Sequence, residues 1–120
     1  GRYMDWAAQN VAESGGSLAV SHDIESAYAG ADVVYAKSWG ALPYFGNWEP
    51  EKPIRDQFRH FMVDEAKMAL TNNGVFSHCL PLRRNVKASD AVMDSPNCIA
   101  INEAENRLHV QKAIMAALLR

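Results

Sequence analysis

Several things are scarce in this 120-residue chain. It has two cysteines, Cys79 and Cys98, with no C-x-x-C spacing, so neither a zinc ribbon nor a disulfide scaffold is indicated. The four histidines, His22, His60, His78 and His109, show no H-E-x-x-H or similar ligand spacing. Gly15-Gly16 follows a helical pattern instead of a strand and is not G-x-G-x-x-G, so the dinucleotide fingerprint is missing. The formal net charge is -2 and no basic stripe occurs, which removes the electrostatic case for a nucleic-acid partner. No apolar run approaches the roughly 20 residues of a membrane span, and the first residues lack the apolar core of a signal peptide. A cytoplasmic protein without a membrane partner is the simplest reading.

What is present suits an ordinary globular domain, with 48% hydrophobic and 22% charged residues. Tyr3, Trp6, Ala7 and Val11 make a helical stripe that Gly15-Gly16 ends. Leu18 to Val20 reads as a short strand, and Ser21 as the cap of a brief helix from about Asp23 to Ala29. Ala31 to Ala36 is a β-branched and aromatic run suited to a strand buried on both faces. From Gly40 to Pro53 the prolines and glycines predict a long ordered loop, and long loops in compact domains are usually functional.

Phe58, Phe61 and Met62 suggest a helical turn, and Asp64 an N-cap for Glu65 to Thr71. Val75 to Leu80 reads as a strand broken by Pro81, Ser89 to Met93 as a weak helix, and Cys98 to Ile101 as the last strand. Asn102 with Glu105 resembles a capping box, opening a helix whose stripe is Val110, Ala113, Ile114, Ala117 and Leu118. Helices alternating with short apolar strands, without hairpin signals, predict an α/β fold: a parallel sheet with helices on both faces.

In such a sheet the carboxyl ends of the strands share one edge, where ligands bind. Lys37 to Trp39, His78 to Pro81 and Asn102 to Glu105 would converge there. His78 beside Cys79 invites a thiolate mechanism, yet neighbours in a strand point to opposite faces and pair poorly. Arg83, Arg84 and Lys87 form a cationic loop that would suit a phosphate or carboxylate, or simply water.

His78-Cys79-Leu80-Pro81, the segment from Glu103 through Arg107 to Lys112, and the Ala31 to Tyr35 strand together resemble the amino-acid-binding domain of the carbamoyltransferases. The resemblance runs over nearly the whole chain. It implies a Rossmann-like three-layer α/β domain and transfer of a carbamoyl group from carbamoyl phosphate to an amine, through a tetrahedral intermediate, with no cofactor and no metal. It also implies a homotrimer with active sites built between subunits.

Carried over residue by residue, the resemblance implies that His78, Cys79, Leu80 and Arg107 bind carbamoyl phosphate. Lys37, Trp39, Leu80 and Lys87 are implied to bind the amino-acid substrate. Cys79 then positions the carbamoyl group and is not a covalent nucleophile.

The chain departs from the ornithine enzymes at two places. Lys37 stands where they have an acid, and Gly40-Ala41-Leu42 where they have Ser-Met-Gly. An acid serves the charged α-ammonium of ornithine; Lys37 would repel it but tolerate a neutral N-acyl amide. These positions, with Leu82 to Lys87, resemble the N-acetylornithine branch, which serves arginine biosynthesis. Free ornithine, N-succinylornithine or aspartate as substrate, or a non-catalytic binding module, are the alternatives. In that branch the lysine matching Lys87 is implied to carry a carboxyl group, which needs a neutral amine such as Arg84 or other nearby cations would favour.

Family members carry a preceding domain with a Ser-x-Arg-Thr phosphate segment, which these residues lack. The expectation is one partial amino-acid-binding domain over residues 1–120, truncated on its N-terminal side, without the carbamoyl-phosphate domain and inactive in isolation. An open sheet edge would then be available to another chain.

Overall fold

The computed structural model describes residues 1–119. Helix α1, Arg2–Ser14, ends where Gly15 takes the left-handed conformation (φ 71°, ψ 16°), which glycine adopts without steric cost. None of its residues is buried: Trp6 meets the edge of Tyr3 at 5.6 Å and the Arg2 guanidinium at 4.4 Å. Leu18 to Val20, expected as a strand, has no strand partner, and its apolar side chains are exposed. Helix α2, Ile24–Tyr28, is capped by Asp23, whose carboxylate accepts from the Glu25 amide at 3.2 Å. The expected cap, Ser21, instead accepts from the Asp23 amide at 3.0 Å, one step earlier.

Strand β1, Val33–Tyr35, runs parallel to β2, Val75–Ser77, with Val33 opposite Val75, Val34 opposite Phe76 and Tyr35 opposite Ser77. A third parallel segment continues the order on the far side of β2: Phe76 donates to the Asn97 carbonyl and Ile99 to the Phe76 carbonyl, at 2.8 and 2.9 Å. Both strands are shorter than the apolar runs suggest. β1 is not buried on both faces, since Val33 and Tyr35 are more than half exposed. Val33 and Tyr35 share the exposed face, and only Val34 turns toward the core.

The stretch read as one loop from Gly40 to Pro53 holds a 3-10 turn, Leu42–Tyr44, and helix α3, Trp48–Asp56. Pro50 falls in the first turn of α3, where its missing N–H would be unpaired anyway; Pro53 lies deeper. Ion pairs one turn apart, Glu51–Arg55 at 3.3 Å and Lys52–Asp56 at 2.6 Å, support the helix around it.

A 3-10 turn at Arg59–Phe61 leads into α4, Glu65–Met68, where Asp64 caps the Lys67 amide at 2.9 Å. Ser89 caps α5, Asp90–Met93, through the Val92 amide at 3.2 Å. Helix α6, Ala100–Leu118, begins earlier than the capping-box reading placed it. The hydrogen bond from Glu103 N to the carbonyl of Ile99 carries the helix through Asn102, and Ile99 takes the cap position that Asn102 was expected to fill. The expected last strand is therefore reduced to a bridge at Cys98.

The core is small: Val63, Phe76, Ala88 and Val92 are buried, with Tyr28, Val34, Met68, Leu82 and Cys98 packed around them. Burying one such large side chain contributes roughly 1.5–3 kcal/mol. Within it, Val63 and Ala88 pair as a parallel bridge. Val63 donates to the Lys87 carbonyl and Ser89 donates back to Val63, both at 2.9 Å, so a core contact sets the backbone of Lys87.

Most of α6 stands clear of the core, and Ala100 is its one buried residue among those described. Its expected stripe is exposed at Val110, Ile114 and Leu118. With α1 equally free, the radius of gyration is 17.2 Å, above the ~13–14 Å of a compact domain this long. Among the described residues no helix is long and apolar enough to cross a membrane.

Candidate functional site

The parallel register sets the site. Because Tyr35 stands opposite Ser77, and Ala36 extends the pairing by donating to the Ser77 carbonyl at 3.0 Å, both chains leave the sheet at the same level. The residues that follow, Lys37 and Cys79, meet: Lys37 Nζ donates to Cys79 Sγ at 3.2 Å. The Cys79 sulfur beside it holds the Lys37 ammonium above its ordinary lysine value. Two segments 42 residues apart thus share one edge.

This contact separates two clefts. One, of about 470 Å³, is lined by Tyr28, Val34, Lys37, Trp39, Phe61 and Lys87. The other, of about 610 Å³, is lined by Cys79, Leu80, Glu103, Arg107, Leu108 and Gln111. Of the residues expected to bind the amino acid, Lys37, Trp39 and Lys87 fall in the first, while Leu80, expected at both ligands, lines the second. Cys79, Leu80 and Arg107, expected at the carbamoyl group, fall in the second, and Arg107 makes no ion pair among the described residues.

His78 lines neither cleft. Its ring is 1% exposed and its Nδ1 bonds the Cys79 carbonyl, which can only accept, so Nδ1 carries the proton. Nε2 has no partner among the described residues. His78 bonds the backbone of Cys79, and the positions beside it that line the second cleft are Cys79 and Leu80.

Lys87 is 2% exposed, with its Nζ 3.3 Å from the centroid of the Trp39 ring and 3.4 Å from the Trp39 carbonyl oxygen. Burial, and then the nearby charges of Arg55 and Arg83, pull its pKa down to about 8. The cation expected to do this, Arg84, is engaged elsewhere: it pairs with Asp90 at 2.9 Å and Asp94 at 2.6 Å. The cationic loop therefore splits. Arg83 and Lys87 face a small cleft of about 230 Å³ with Trp39, Trp48 and Arg55, while Arg84 holds α5.

Two participants, Arg55 and Glu51, escaped the sequence reading, and a third, Glu103, was expected at this edge without a role. Arg55 reaches the site because α3 forms where a loop was expected; its carbonyl accepts from Trp39 Nε1 at 3.2 Å and sets the indole. Glu51, on the same helix, is buried, pairs with Arg55 and lies against Gly40, where an added Cβ would meet its Oε1 at 3.1 Å. Glu103 accepts from the Tyr35 hydroxyl at 3.1 Å and from the Ser77 hydroxyl. The available signal for Glu103 was an acid in the first turn of the last helix, level with hydroxyls ending two strands.

The family model described as aspartate/ornithine carbamoyltransferase, Asp/Orn binding domain, matches residues 2–118. The N-acetylornithine carbamoyltransferase of Xanthomonas campestris pv. campestris is 92% identical over 118 residues, covering 98% of this chain and 35% of that protein. That of Xylella fastidiosa strain 9a5c is 80% identical over 117 residues, again covering 98% of this chain and 35% of that protein. The ornithine carbamoyltransferase of Pyrococcus horikoshii is 43% identical over 120 residues, covering 98% of this chain and 37% of that protein. A crystal structure of acetylornithine transcarbamylase complexed with acetylcitrulline matches with a TM-score of 0.87 at 92% identity, over 98% of this chain and 35% of that one. The chain spans about a third of the length of the curated relatives it matches.

Proposed function

This chain belongs to the aspartate/ornithine carbamoyltransferase family, and on that footing we propose that it supplies the amino-acid-binding half of an N-acetylornithine carbamoyltransferase. The reaction moves the carbamoyl group of carbamoyl phosphate to the side-chain amine of N-acetyl-L-ornithine, giving N-acetyl-L-citrulline and phosphate, in arginine biosynthesis. The observation that carries the reading is the contact of Lys37 Nζ with Cys79 Sγ at 3.2 Å, which sets the proposed amino-acid cleft directly beside the proposed carbamoyl cleft.

In this reading the carbamoyl carbon lies on the Cys79–Leu80 side. The Leu80 carbonyl accepts from the carbamoyl NH2, and Arg107 stabilises the oxygen that gains charge as the amine attacks. Fixed groups of this kind lower the barrier because they are already oriented before the reaction. Cys79 orients the group and forms no covalent bond.

The amino acid occupies the other cleft. Lys37 meets its carboxylate, Lys87 lies beside its acylated amine, and Trp39 packs along its side chain. An α-ammonium there would face Lys37, whose charge the Cys79 contact favours. Lys87, buried against an indole and drawn toward neutrality, is suited to hold a carboxyl group as a carbamate. The protein acts in the cytoplasm as a homotrimer. The exposed apolar positions Tyr3, Trp6, Ile114 and Leu118 support burial of these helices against further protein.

The test uses the full-length protein that contains this chain. Carbamoyl phosphate is supplied with N-acetylornithine, ornithine, N-succinylornithine or aspartate, and the ureido product is measured. Transfer to N-acetylornithine with little to ornithine is the expected result; transfer to ornithine alone overturns the substrate reading.

A further inference from the structure

We propose that Glu103 is a positioning residue for carbamoyl transfer: its carboxylate ties the ends of β1 and β2 to the first turn of α6, and so sets where Arg107 stands relative to Cys79. The proposal rests on the reading of the site given above.

Both carboxylate oxygens are used, each by a different strand. Tyr35 Oη donates to Oε1 at 3.1 Å, and Ser77 Oγ donates to Oε2. Tyr35 and Ser77 are the last residues of their strands and stand opposite each other in the register. One carboxylate therefore bridges positions 68 and 26 residues away in sequence. Ser77 is 4% exposed, so water cannot easily replace the bond that Glu103 makes with it. The Tyr35 phenol is held above its ordinary pKa, first by its bond to Glu103, as a hydroxyl donating to an anion should be.

The backbone bond from Ile99 to the Phe76 carbonyl fixes where α6 starts, and Glu103 adds the side-chain tie to both strand ends. The helix has no side-chain cap, and Ala100 is its one buried residue among those described. An anion in the first turn also suits the positive end of the helix dipole. Glu103 and Arg107 are one turn apart on one face, and both line the 610 Å³ cleft with Cys79 and Leu80. Glu103 forms no ion pair with Arg107 among the described residues. The carboxylate thus fixes the helix that carries the guanidinium while leaving that guanidinium free for an anionic ligand.

A group misplaced by about 1 Å can cost on the order of a hundredfold in rate. In the full-length enzyme, Glu103→Ala is expected to lower kcat by roughly ten- to a hundredfold. The KM for N-acetylornithine should stay within about twofold, because the Lys37, Trp39 and Lys87 cleft lies on the other side of the Cys79 contact. Glu103→Gln keeps one carbonyl acceptor and should recover much of the lost kcat. Tyr35→Phe added to Glu103→Ala should cost no more than Glu103→Ala alone, since the two act through one bond.

A purely structural role predicts a lower Tm with unchanged kcat per folded site, and that result overturns the proposal. If Glu103→Ala does not fold, Tyr35→Phe carries the comparison, because it leaves the Ser77 bond in place. A smaller fall in kcat at constant KM supports the proposal there, and unchanged kcat overturns it. Failure of the underlying reading looks different: the unaltered enzyme itself would then make no product from N-acetylornithine.

Discussion

Lys87 Nζ lies 3.3 Å from the centre of the Trp39 ring while the same amine reaches the Trp39 carbonyl at 3.4 Å. An ammonium held by an aromatic face and one carbonyl, with Arg55 and Arg83 nearby, is poorly compensated for its lost water.

That environment predicts a pH effect of defined sign. The Lys87 pKa falls from 10.5 to about 8 on folding, so between about pH 8 and 10.5 the unfolded chain binds more protons than the folded one. Stability contributed by this group therefore rises as pH rises through that window, and below pH 8 its charge opposes folding. Thermal unfolding of wild type against Lys87→Met from pH 7 to 10.5 should show the wild type gaining on the variant as pH increases.

The same neutral amine should react. Acylation of the full-length protein at pH 8 with a small reagent, followed by peptide mass analysis, should find Lys87 modified readily for a residue only 2% exposed. Bicarbonate added to fresh unaltered protein should give a carbamate signal at Lys87. Spectra with a plain amine at every bicarbonate concentration would refute the carboxylated form.

Lys37→Asp tests the substrate reading. Exchanging the cation for an anion beside Cys79 removes repulsion of an α-ammonium, so the preference for N-acetylornithine over ornithine should fall several-fold or more. The check is the ratio of the two kcat/KM values, and an unchanged ratio would mean that Lys37 does not set the choice.

Gly74→Ala should destabilise the domain by about 1–3 kcal/mol, because an added Cβ would sit 2.7 Å from the Ala31 carbonyl oxygen and 3.1 Å from Thr71. Gly74 immediately precedes β2, so relief of the clash moves the strand that leads to Cys79. Denaturant unfolding measures the loss.

Ser89→Ala should cost about 1 kcal/mol through loss of the α5 cap. Ser89 Oγ accepts from Val92 and donates to Glu65 at 2.7 Å, so Ser89→Asn, which keeps the cap acceptor with altered geometry toward Glu65, should fall between alanine and wild type. Chemical unfolding of the three proteins ranks them.

Local signals in the sequence were read well where one residue dictates the backbone. Gly15 ended α1 and Asp64 capped α4 as their chemistry demands, while Ser89, read as the first residue of a helix, proved to be the cap of α5. Signals that depend on what lies alongside were read less well. Val33 and Tyr35 looked buried because their side chains are apolar, yet exposure depends on a neighbour that composition cannot report. The two prolines at 50 and 53 argued for a loop, while the Glu51–Arg55 and Lys52–Asp56 pairs favour a helix there.

The sequence by itself determined the parallel α/β class, through local periodicity, and the family and the segments that come to the carboxyl edge of the sheet, through motif residues. Only the tertiary structure decided that Lys37 touches Cys79, that Arg55 and Arg83 act on Lys87 in place of Arg84, and that Glu103 joins both strands to α6. The reason is physical: such contacts depend on strand register and helix placement, which a one-residue slip would change while leaving every local pattern intact.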